Sequence, residues 1–91
     1  MMHLTVFVGT NFSEEEFFDE AQKQDVVEKA QNLLRDKVKG VQIVNPNAFS
    51  GTIGVLIHET QLGILLKALV DLEEGAHVED NDGGQLWGAV A

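Results

Sequence analysis

His58 and Glu59 come closer to a catalytic signature than any other pair in the chain. They open the zinc-protease pattern His-Glu-x-x-His, in which two imidazoles one helical turn apart hold the metal and the glutamate acts as base. Position 62 is Leu62, so the second ligand is missing. The pair therefore reads as a histidine at the end of a strand followed by a solvated carboxylate. Three imidazoles with a carboxylate would suit zinc, but no spacing ties His3 or His77 to His58. The chain has no cysteine, which excludes disulfides, thiolate metal sites and thiol catalysis. No metal and no cofactor is implied.

Two other patterns fail in the same way. Glu79, Asp80 and Asp82 stand beside two glycines, as in a calcium loop. Placing Gly83 at the sixth position of an EF-hand loop puts Val78 at the first and Ala89 at the twelfth, where carboxylates are required. Gly9, Thr10 and Asn11 lie between a strand and a helix, where phosphates dock. They lack the lysine and second glycine of a P-loop, and Glu14, Glu15 and Glu16 would repel an anion. Ser13 and Ser50 have no nucleophile context.

The positioning elements are more legible. Ninety-one residues with 44% hydrophobic and 23% charged side chains make one globular domain over residues 1–91. No apolar run reaches the ~18 residues of a membrane span. With no basic leader at the start, a cytoplasmic address is expected. Residues 3–8 are β-branched and aromatic and stop at a Gly-Thr-Asn turn, which predicts a strand, and the continuous apolar run Val6 to Val8 predicts cover on both of its faces. Ser13 with Glu16 forms a capping box, and Phe12 with Phe17 a hydrophobic staple, so a helix starts there. Gly40 ends it. Along that helix Phe17, Phe18 and Ala21 face opposite to Val26, Val27, Ala30, Leu33, Leu34 and Val38. One straight helix cannot turn both sets to one core, which predicts a break near residues 22–25, with Asp25 and Glu28 as a second capping box; the rival is an unbroken helix whose first-half aromatics face a partner chain.

Residues 41–44 read as a short strand, Asn45, Pro46 and Asn47 as a turn, and residues 52–57 as a buried central strand. Gly54 marks a bulge or a close approach. Thr60 caps a second helix expected to run to about Glu74, with Gly75 as terminator. This helix is apolar nearly all round, and such a helix is buried on more than one side. Leu62, Leu65, Leu66 and Leu69 are therefore expected at an interface between copies of the chain, in a homo-oligomer of dimer type. Residues 76–80 and 85–90 form a terminal hairpin around Asn81, Asp82, Gly83 and Gly84. The order strand, helix, strand, strand, helix, strand, with an extra C-terminal strand, is that of an α+β sandwich with an antiparallel sheet and helices on one face. A ferredoxin-like β-α-β-β-α-β topology is the expectation. No motif ties the chain to a family.

Net charge is −9, and its placement is uneven. Residues 13–20 carry five acids and no base, and from Ala68 onward there are six acids and no base. That sign disfavours direct nucleic-acid binding, and the central strand offers no aromatic for base stacking. The expected function is a small acidic, non-enzymatic binding or regulatory protein that self-associates and engages a basic protein partner, with nucleic-acid mimicry as its boldest form. Glu14, Glu15, Phe18, Asp19, Glu79, Asp80, Asp82 and Trp87 are the candidate contacts, the aromatics serving as apolar anchors. The alternatives are a small-molecule sensor with ligand between subunits of a ferredoxin-like dimer, and a small hydrolase or lyase using His58 and Glu59.

Overall fold

The computed structural model describes residues 1–8, 20–48, 50–72 and 76–88. Within them the chain forms β1 (Met2–Phe7), α1 (Glu20–Lys37), β2 (Gln42–Asn47), β3 (Thr52–Ile57), a 3₁₀ turn (Glu59–Gln61), α2 (Leu62–Leu69), β4 (His77–Asp80) and β5 (Leu86–Gly88). The five strands make one antiparallel sheet in the order β2-β3-β1-β4-β5.

Alternation along the strands decides which side is covered. Leu4, Val6 and Val8 of the first strand segment, Ile53, Val55 and Ile57 of β3, and Val78 of β4 are all buried together with the inner faces of both helices. Their neighbours His3, Thr5, Phe7, Thr52, Leu56, His77 and Glu79 point to the other face and are half-buried or exposed. Among the described residues that period of two is the mark of a sheet covered on one side, which corrects the cover on both faces expected from the run Val6 to Val8.

α1 runs without interruption through residues 22–25, so the expected break there is absent. Its core stripe is Lys23, Val27, Ala30, Leu34 and Val38, at helical spacing. Lys23 is 8% exposed and continues the stripe, as the aliphatic stem of a lysine can. Gln22, Lys23 and Gln24 are good helix formers. Asp25, read as a second cap, instead pairs with Lys29 at 3.0 Å across one turn. Phe17 and Phe18, whose direction argued for the break, lie outside the described residues, as do the capping box and staple at Phe12, Ser13 and Glu16. Gly40 follows the helix with φ +78, in its expected terminator role.

Residues 45–47 are not the turn between β2 and β3. β2 continues through them with a bulge between Val44 and Asn47, Asn45 taking φ 48. Pro46 is tolerated because β2 is an edge strand. The turn comes later, where the Gly51 N–H donates to the Asn47 carbonyl at 2.9 Å and the Ser50 N–H to Asn47 Oδ1 at 3.1 Å.

α2 is shorter than its sequence implied. It ends at Leu69, and the N–H groups of Val70, Asp71 and Leu72 bond three residues back in a tightened last turn. Glu74 and Gly75, the expected end and stop, lie outside the described residues. The leucines expected between copies are interior to this one. Leu65 and Leu69 are fully buried, Leu66 is 8% exposed, and Leu62 is partly buried against the same core. The sheet below and α1 alongside cover them. What α2 shows to solvent is Gly63, Ile64 and Lys67, followed by Val70 just beyond its end. Among the described residues no helix is long and apolar enough to cross a membrane.

Candidate functional site

The 3₁₀ turn sets the position of His58 and Glu59. The His58 N–H donates to Gln61 Oε1 at 3.0 Å, and the Gln61 N–H donates to the His58 carbonyl at 2.9 Å. Gln61 Nε2 also donates to the Lys39 carbonyl at 2.6 Å, tying the turn to the segment after α1. His58 is thus a helix-entry residue, exposed like Glu59. His3 lies on β1 beside Leu56, and His77 lies on β4 beside Phe7, so the two are four residues apart along the β1 ladder. Among the described residues no three metal-binding side chains converge. Gln61→Ala removes two side-chain hydrogen bonds at once and should cost about 1–2 kcal/mol, read by urea denaturation. A loss near zero would show that the turn holds without its clamp.

The acidic hairpin is a built turn. Asp80 Oδ1 accepts the Asp82 N–H at 2.9 Å, the Asp80 carbonyl accepts the Gly84 N–H at 2.7 Å, and the Asp80 N–H donates to the Gln85 carbonyl at 2.8 Å. Asn81 fixes the turn to β1, donating its N–H to the His3 carbonyl at 3.0 Å and accepting the Thr5 hydroxyl at 2.7 Å through Oδ1. Asp82 is exposed, and Glu79 and Asp80 are half-buried. Trp87 takes a different place from the one expected. It pairs with Val78, which puts it on the helix side, where it is half-buried against the core. Its neighbour Leu86 pairs with Glu79 on the open side and is 63% exposed. Leu86 is the apolar surface residue that the sequence reading missed. The register of the hairpin, combined with Val78 being inside, identifies it. Glu14, Glu15, Phe18 and Asp19 lie outside the described residues.

On the open face the strands align in rows. One row is Val44, Gly54, Thr5, Glu79 and Leu86, and the next is Thr52, Phe7, His77 and Gly88. Phe7 and His77 stack with ring centroids 4.6 Å apart and planes 6° from parallel. Gly54 leaves a notch of about 250 Å³ in the first row, bordered by His3, Thr5, Thr52 and Asn81. A second hollow of about 320 Å³ lies on the helix side between α1 and the end of α2. Val26, Ala30, Leu33 and Leu72 line it, with Lys29 and Asp71 at hand.

Comparison of the chain with protein-family models, with curated proteins and with solved structures finds no match.

Proposed function

We propose that the chain is a small non-enzymatic binding protein that self-associates and engages a basic protein partner through its acidic surface. The observation that carries this reading is the segregation of charge between the two layers. All six Lys and Arg belong to α1, the turn after it and α2, while the five strands and their hairpins contain none. Asp82 is exposed and Glu79 and Asp80 are half-buried at the β4–β5 end, with no base in their own layer. An unneutralised patch of one sign raises encounter rates with partners of the opposite sign. The acidic run at residues 13–20 adds to it in sequence. Asp71, just after α2, extends the acidic C-terminal third.

The architecture proposed for this role is ferredoxin-like. Read from the other edge, the first four strands run β4-β1-β3-β2, each antiparallel to its neighbour. That order interlocks two split β-α-β units and supports the arrangement. β5 is then an added edge strand that carries the hairpin.

The test is retention of basic partners from the native cell extract on immobilised protein, compared at about 0.05 M and about 0.5 M salt. Partners should be held at low salt and released at high salt. The double variant Asp80→Asn/Asp82→Asn should weaken retention several-fold. Retention that ignores both ionic strength and the double substitution would sink the electrostatic reading.

A further inference from the structure

The geometry points to the open face of the sheet as the surface on which a second copy of this chain docks, with Leu86 of each copy entering the Gly54 notch of the other. It rests on the self-association half of the function proposed above and replaces the interface expected on α2, whose leucines are interior. Three observations support it.

The face has the right charge. In a chain of net charge −9, the residues aligned across this face include one carboxylate, Glu79, together with His3 and His77. The rest are Gln42, Val44, Asn47, Thr5, Thr52, Phe7, Leu56 and Leu86 or glycines. Two copies meeting here repel each other less than they would across the acidic hairpin.

The face is also self-complementary. Two sheets stacked face to face keep their strands within about 30° of alignment. A two-fold axis lying between them, along the strands and midway between β1 and β4, sets β1 of one copy over β4 of the other and β3 over β5. Each row then meets its own reverse. Gly54, where the side chain is missing, faces Leu86, which projects. Thr5 faces Glu79, a hydroxyl against a carboxylate, so the two Glu79 side chains do not oppose one another. Phe7 faces His77. The knob and the hole stand in one row, at positions that this axis exchanges. Such an isologous match is what a closed dimer requires.

The area sets the scale. Under this axis four strands overlap, β1 and β3 against the four-residue β4 and the three-residue β5, which offers roughly 230 Å² per copy, or under roughly 500 Å² between two. That is below the range of stable specific interfaces, so the contact is a weak, transient one. The dimer should accordingly dissociate in the high-micromolar to millimolar range.

Sedimentation of the full chain from about 10 μM to about 2 mM, without any partner, tests this at the concentrations such an interface implies. The mass should rise from 10.0 kDa toward twice that value. Leu86→Glu should hold the chain at monomer mass with an unchanged far-UV circular dichroism spectrum, since Leu86 is exposed. Ile64→Glu on α2 and the Asp80→Asn/Asp82→Asn pair should dimerise like the parent. Concentration-dependent amide shifts in the parent, confined to residues near Thr5, Gly54 and Leu86, provide a second readout that needs no variant. A parent that stays monomeric throughout, or a Leu86→Glu chain that still doubles its mass, overturns the proposal. Loss of salt-sensitive partner binding with the dimer intact would count against the acidic surface alone.

Discussion

Leu65→Ala should cost the protein about 2–5 kcal/mol of stability, the range for emptying a fully enclosed leucine site. Leu65 is 0% exposed, and the sheet and both helices converge on it. A chain of this size has about 5–13 kcal/mol in total. The loss should lower Tm by at least about 10 °C. Ile64→Ala, one residue earlier, should stay within about 0.5 kcal/mol, because Ile64 is 48% exposed. Calorimetry on the two variants separates a protomer core from an interface between copies. If Leu65 served a neighbouring copy instead, its substitution would change assembly while leaving the isolated protomer stable. Equal losses at the two positions would contradict the burial described for α2.

That contrast also shows where the sequence could be read and where it could not. The strands were legible because β-branched and aromatic runs bounded by turn residues are local signals. Which of their faces is covered was not: the unbroken apolar run Val6 to Val8 argues for a strand covered on both faces, yet Phe7 lies on the opposite face from Leu4, Val6 and Val8 and is only half-buried. Gly40 as terminator and Gly54 as a close approach were legible as local signals too, since each is a demand of the backbone at one position. Circumference was harder. α2 looked apolar all round because Ile64 and Val70 were counted with the core, when they lie on the solvent side beside Gly63 and Lys67. An eight-residue helix seated in the angle between a sheet and a longer helix has more of its girth covered than one resting on a flat surface. Nothing in the sequence states that geometry.

The candidate contacts divide along the same line. The aromatic character of Trp87 argues for a surface anchor, yet register with Val78 turns it inward and turns Leu86 out. One residue of register exchanges the two faces of a strand. The register depends on the turn, and the turn is built by Asp80 and Gln85 through a bond that composition does not announce. His58 and Glu59 lack the second histidine of the zinc-protease spacing. Their actual task, entry to a 3₁₀ turn clamped by Gln61, requires the Lys39 carbonyl to be within reach, which is a tertiary fact.

Two glycine substitutions to alanine should move stability in opposite directions. At Gly54 a β-carbon would collide with the Val44 carbonyl oxygen, which belongs to backbone held in the bulged β2–β3 ladder. Alanine normally gains about 0.4–1 kcal/mol over glycine by restricting the unfolded chain. Overpacking against a constrained neighbour costs about 1–3 kcal/mol. A carbonyl in a ladder has little room to yield, so the collision prevails and Gly54→Ala should lose about 1–2 kcal/mol net. Gly63 stands in α2 with nothing within 4 Å of the position its β-carbon would take. There the helix propensity of alanine acts unopposed, and Gly63→Ala should add about 0.5–1 kcal/mol. Urea midpoints for the two variants measure both signs in one experiment. A stabilised Gly54→Ala chain would mean that the β2 bulge relaxes freely. The notch on the open face would then be an accident of a missing side chain, not a shape the sheet is built to keep.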